Sequence, residues 1–253
     1  MNKKSIAIIG GEFNNKGAQA MSFITISRLK KQYPNHKILF VSAIDVLKNN
    51  KDDYNFEIIQ DPFLKNNFLG ENIVRKILKK TYRTNPKDYK QYLDSIEYVF
   101  DINGYSLSSQ WGNRISKIYA DRYILAKKLG KKVAILPQSL GPFDYKKDKS
   151  EMSKLISKSL SNLEVVFARE HQGVESLREI GVEENVVYSP DLVLTNKEEI
   201  DWSAIYKEPF KPREYSIPSN SVAVIPNMKN FQHGNTAEIM DLLDLSQYLG
   251  HDL

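Results

Sequence analysis

Short apolar runs rich in valine and isoleucine alternate with longer segments of helical period along most of the chain, the pattern of a parallel sheet covered by helices. SIAIIG (5–10) predicts a buried first strand. From Gly17, the apolar positions Ala18, Met21, Ile24, Ile26 and Leu29 predict one helical face that ends before Tyr33 and Pro34. KILFVS (37–42) predicts a second strand and FEIIQ (56–60) a third, followed by a basic region with two helices. Further strands are expected at YVFDIN (98–103), KVAILPQS (132–139), VVFARE (165–170) and 186–188. Between them, helices are expected at 114–130, near 149–161 and at 171–181, with Gly130 and Gly181 as stop signals.

This rhythm specifies an α/β fold, a doubly wound parallel-sheet Rossmann-like domain spanning residues 1–195. Residues 196–220 change character, with Pro209, Pro212 and Pro218 and no sustained period, and read as a linker. An apolar strand, SVAVIPN, then opens at 221, followed by one weak helix at 237–249. Residues 221–253 bury too little apolar surface for a core of their own and read as the stub of a second domain.

Composition removes several function classes. Hydrophobic residues at 41% and charged residues at 26% are ordinary globular values. The 253 residues hold no cysteine, which excludes disulfides, a thiol nucleophile and thiolate metal sites. His36, His171, His233 and His251 lie too far apart for a histidine-pair motif, so no metal and no cofactor are expected. The run Ile6–Ile9 is too short for a secretory core, and no stretch is apolar for long enough to span a membrane. A soluble, cytoplasmic protein is the expectation. The net charge of +5 is mild. Its densest basic stretch, 75–92, reads first as a solvated helix face and second as a patch for acidic glycan or for peripheral association with lipid-linked phosphates. No nucleic-acid motif is present, and no nucleic-acid partner is expected.

Ligands of open parallel sheets collect at the carboxyl ends of the strands, so the loops there hold the candidate chemistry. GGEFNNKGAQAM (10–21) offers Asn14, Asn15 and Lys16 before a helix N-terminus, without the spacing of a dinucleotide or Walker loop. Either these residues bind a ligand, or Asn14 and Asn15 form and cap the turn. DINGYSLSSQWG (101–112) places Asp101 and Asn103 at a strand end with hydroxyls and Trp111 behind them, a composition that suits a sugar and equally suits a capped loop with a core tryptophan. Gln138 follows in PQSLGPF (137–143). Arg169 and Glu170 close a strand with two opposite charges, and Asp191 precedes an apolar stretch. Arg169 is a candidate for an anion because its planar fork matches carboxylate and phosphate. Asp101, Glu170 and Asp191 are the candidate acid and base groups.

In this order, GGEFNNKGAQAM, DINGYSL, ILPQSLGPF, VFAREHQGVESLREIG and SPDLVL resemble the polysaccharide pyruvyl transferase family over about residues 5–227. The resemblance implies the N-terminal half of a GT-B-like two-domain architecture. It also implies transfer of a pyruvyl group from phosphoenolpyruvate to a glycan or lipid-linked sugar acceptor in surface or exopolysaccharide synthesis. In it, Asp101, Glu170 and Asp191 stand as catalytic candidates, and Asn14, Asn15, Lys16, Asn103, Gln138 and Arg169 as substrate-binding ones. Two departures stand out. Only Gly104 remains where the family usually has a run of glycines, and no Arg-x-His element of the donor side follows residue 227. The chain thus reads as a shortened member, expected to bind the donor weakly and to turn over little or not at all. Two alternatives are a truncated, non-catalytic sugar-binding remnant and a GT-B glycosyltransferase using a nucleotide-sugar.

Overall fold

The computed structural model of the protein describes residues 4–48, 50–63 and 86–210, with the single positions 216, 218 and 221. The chain divides into two compact units, Met1–Phe210 and Lys211–Leu253, and the described residues give the first. The apolar stretch expected as a strand from 222, the weak helix at 237–249 and most of the basic stretch at 75–92 lie outside the described residues.

The first unit is built in the order β1 (Ser5–Ile9), α1 (Lys16–Gln32), β2 (Lys37–Val41), β3 (Glu57–Ile59), α2 (Pro86–Ser95), β4 (Ile96–Asp101), α3 (Gly112–Lys128) and β5 (Lys132–Gln138). It continues through α4 (Lys149–Leu160), β6 (Val165–Ala168), α5 (His171–Glu179), β7 (Val186–Tyr188), α6 (Leu192–Thr195) and α7 (Trp202–Ile205). The strands form one parallel sheet in the order β3-β2-β1-β4-β5-β6-β7. Winding runs outward from β1 in one direction to β3 and in the other from β4 to β7. The fold is therefore the doubly wound α/β Rossmann-like sheet that the alternating pattern predicts.

Side-chain alternation divides β1 to β4 between two cores, and this is why these strands read as apolar runs. Ile6, Ile8, Ile38 and Phe40 meet Phe23, Ile26 and Leu29 of α1 and Ile205 of α7 on one face. Ala7, Ile9, Leu39 and Val41 meet Tyr123 and Ala126 of α3 and Met152, Ile156 and Leu160 of α4 on the other. Each fully buried Ile or Leu side chain contributes roughly 1.5–3 kcal/mol. Expected and observed element ends differ by one or two residues. VVFARE ends as a strand at Ala168, for example: the Arg169 N–H makes a last bond to β5, at the Gln138 carbonyl (3.1 Å), and the chain then turns into α5.

Residues 196–210, within the stretch read as a linker, pack onto this unit. The Asp201 N–H donates to Ser27 Oγ at 2.9 Å, and Ile205 is fully buried among α1 and β1 residues. Tyr206 bridges Tyr54 in antiparallel fashion, and the Asn55 side-chain amide donates to the Ser203 and Tyr206 carbonyls. Among the described residues, no helix is long and apolar enough to cross a membrane.

Candidate active site

Winding reverses between β1 and β4, and the loops leaving these two strands must diverge, which opens a crevice beyond their carboxyl ends. Its volume is about 830 Å³, large enough for a sugar residue and more. Gly10, Gly11, Glu12 and Asn15 line it from the loop after β1, Asn103, Gly104 and Tyr105 from the loop after β4, and Arg169 and Asp191 from the ends of β6 and β7. Ser42 to Ile44, Asp61, Tyr119 and Arg122 complete the β2, β3 and α3 side.

The loops after β1 and β4 touch through one glycine. Gly10 has φ +82°, and a Cβ there would lie 2.8 Å from Asn103 Cβ, Asn103 N and Asp101 Oδ1. Only glycine permits this approach. The loops after β4 and β5 are laced in turn. The Ser139 N–H donates to the Gly104 carbonyl at 3.0 Å, and the Gly141 N–H to the Leu107 carbonyl at 2.9 Å.

Two ion-paired arginines stand on the crevice wall. Arg169 donates from Nε to Ser139 Oγ at 2.9 Å and to Glu170 Oε1 at 2.8 Å, and through a terminal nitrogen to Asp191 Oδ2 at 3.1 Å. Across the crevice, Arg122 pairs with Asp61, and their side chains are only 11% and 7% exposed. Asp61 also accepts from the Phe63 N–H at 2.8 Å, and the Arg122 guanidinium lies 4.7 Å from the centre of the Tyr119 ring. Tyr119 accepts in turn from the Asn103 side-chain amide.

The family model of the polysaccharide pyruvyl transferases matches residues 15–235. The chain belongs to this family. It is a transferase family, and the membership assigns the chain to pyruvyl transfer in polysaccharide biosynthesis. None of the individually curated proteins matches the chain.

Within this pyruvyl transferase fold, the candidate residues read from sequence take different places. Asn15, Asn103, Arg169 and Asp191 are brought together on the crevice. Asn15 is at the same time the N-cap of α1, its Oδ1 accepting from the Gly17 and Ala18 N–H groups at 2.9 and 3.3 Å. Asp191 caps α6 in the same way, accepting from Val193 N–H at 2.8 Å. Asn14 and Lys16 are exposed outside the crevice lining, with Lys16 donating to Gln19 Oε1 at 3.0 Å. Glu170 is exposed and accepts from Ser139 Oγ and Arg169. Gln138 is fully buried and accepts from Ser106 Oγ at 2.9 Å, so of the substrate-binding candidates Asn14, Asn103 and Gln138, Asn103 alone lines the crevice. Trp111 is neither in the core nor on the crevice. It is 45% exposed, edge-on to Tyr105.

Asp101 lies beneath the crevice, fully buried, accepting from the Asn103 N–H at 2.7 Å and the Tyr123 hydroxyl at 2.5 Å. Burial raises its pKa above the ordinary carboxyl value of 3.8, and the hydrogen bonds from Tyr123 and Asn103 offset this only in part. A group whose folded pKa is raised contributes stability that is fully present below its unfolded pKa and is lost as pH rises through its folded one. The stability of the protein relative to an Asp101→Asn variant is therefore expected to fall as pH rises from 3.8. Urea unfolding of both proteins at stepped pH measures this, and a stability that rose with pH relative to the Asp101→Asn variant would refute it.

Asp61, Arg122 and Tyr119 were not among the residues singled out from sequence. Asp61 follows directly on the FEIIQ run, so the rule that strand ends carry ligands pointed to it. Arg122 and Tyr119 lie inside a helical period and carry no such signal. Among the described residues, no group of three or more His, Asp or Glu side chains is placed to hold a metal ion.

Proposed function

We propose that the protein transfers the pyruvyl group of phosphoenolpyruvate to two hydroxyls of a sugar acceptor, and that the acceptor occupies the crevice at the β1/β4 reversal. Family membership supports the reaction, and the neutral hydrogen-bonding groups of Asn15, Asn103, Tyr105 and Tyr119 on the crevice support the acceptor's place. The balance is simple. The methylene carbon of the donor gains one proton, two sugar oxygens bond to its central carbon, and phosphate leaves. Of the two hydroxyl protons, one ends on the new methyl group and the other on phosphate. Stabilising the intervening oxocarbenium and the leaving phosphate calls for acid, base and cationic groups held in place.

Both guanidinium groups of the crevice already have carboxylate partners. A small, highly charged donor has little apolar surface and depends on charge-assisted bonds. Phosphoenolpyruvate is thus expected to bind more weakly than about 1 mM, equivalent to about 4 kcal/mol. Turnover is expected to be slow and to rise linearly with donor concentration through that range. Phosphate release and the ketal methyl signal in proton NMR, followed with oligosaccharide acceptors, test both statements. Heat protection by a nucleoside diphosphate, with no ketal formed, would favour the glycosyltransferase reading instead.

A further inference from the structure

Three carboxylates, Glu12, Asp61 and Asp191, line the crevice against two guanidinium groups, Arg122 and Arg169. Each guanidinium is paired with a carboxylate of the same crevice, Arg122 with Asp61 and Arg169 with Asp191, and Arg169 has Glu170 as a second partner at 2.8 Å. An anion entering here has to displace a carboxylate from its arginine and meets a lining of net negative charge. Around the pairs stand groups that both donate and accept without carrying charge, Asn15, Ser42, Asn103, Tyr105 and Tyr119.

The Asp61 and Arg122 pair narrows the class further. Both side chains are close to nine-tenths buried; Asp61 Oδ2 faces a terminal nitrogen of Arg122, and among the described residues Arg122 Nε has no hydrogen-bond partner. A hydroxyl donates and accepts at once, so it suits a donor and an acceptor held side by side. A carboxylate or phosphate only accepts; it suits the arginine and is repelled by the aspartate. The Tyr119 ring under the guanidinium and the bond from the Asn103 amide to the Tyr119 hydroxyl tie this pair to the loop after β4.

From these observations we infer that the crevice selects a neutral sugar residue, one bearing hydroxyls and no carboxylate or phosphate, and that the Asp61–Arg122 pair is its specificity determinant. The inference rests on the reading that the acceptor occupies this crevice. The full chain is tested by saturation-transfer NMR with methyl glycosides of neutral hexoses and the matching methyl uronosides. At least one neutral glycoside is expected to bind about tenfold more tightly than its uronoside. Asp191→Asn, which removes one of the carboxylates, is expected to narrow that ratio. Asp61→Leu combined with Arg122→Met leaves no lone buried charge, so the double variant is expected to keep its melting temperature and lose about tenfold in affinity for the neutral glycoside.

Equal or tighter binding of the uronosides, no binding of any neutral glycoside, or full affinity in a folded double variant would each overturn the inference. Phosphoenolpyruvate-dependent ketal formation on an acidic sugar, undiminished in the double variant, would overturn it while leaving the transfer reaction standing. Selective neutral-glycoside binding with no ketal formed from any acceptor would sustain the subsite and sink the transfer reaction.

Discussion

Replacing Arg122 with alanine is expected to destabilise the first unit by about 3–5 kcal/mol, because it leaves the Asp61 carboxylate buried without its countercharge. Burial works against the charge of Arg122, yet Asp61, followed by Tyr119 and Asp101, outweighs it and holds the guanidinium pKa above its ordinary value. The same neighbours make removal costly. Arg122→Ala also takes away the cation over the Tyr119 ring, a contact worth about 0.5–2 kcal/mol on its own, and this overlaps with the first figure and is not added to it. The measurement is urea unfolding followed by far-UV circular dichroism. A loss under about 1 kcal/mol would show that water reaches Asp61 and that the pair is effectively a surface one.

Phe13→Ala is expected to cost a similar amount, about 3–5 kcal/mol, and to release the loop after β1. Phe13 belongs to that loop and to no helix or strand, yet it is only 5% exposed. Its ring centre lies 4.7 Å from that of Phe40, 5.1 Å from Tyr54 and 5.5 Å from Phe23. Its N–H donates to Asp45 Oδ2 at 3.1 Å, an oxygen that also accepts from Ser42 Oγ. The loop is therefore pinned two residues before Asn15, which lines the crevice and caps α1. Amide exchange at Gly17 and Ala18, the two N–H groups held by Asn15, should accelerate in the folded variant. Unchanged protection at these amides would mean that the cap alone holds the loop.

The sheet was legible because its central strands are buried on both faces. Runs such as SIAII and KILFV carry no polar interruption, and helices of ordinary length separate them. The rule that ligands collect at the carboxyl ends of such strands pointed to the loops that hold Asn15, Asn103, Arg169 and Asp191, whereas the place where the winding reverses is visible only in the order of the strands in the sheet. What the chain could not reveal was which way a side chain at a strand end points. Asp101 and Gln138 occupy the final positions of β4 and β5, and both turn under the loops into the interior. Asn103, two residues past Asp101, emerges on the crevice. The pairing of Asp61 with Arg122 was illegible for a different reason. It joins the end of an edge strand to the middle of a helix 61 positions on, and only the assembled sheet brings the two together.

The return of residues 201–207 across α1 to the β2–β3 side has a consequence for the order of events during synthesis. Ile205 fills the same apolar cluster as Ile6, Ile8 and Phe23, and Tyr206 pairs with Tyr54, so the earliest and latest parts of the unit share one core. Contacts so distant in sequence form late, because a long loop must close before they can. A nascent chain that has released only the strands of the sheet still lacks the plug for the α1 face. That face stays open to chaperones, or to the edges of other nascent chains, until about residue 206 has cleared the ribosomal tunnel.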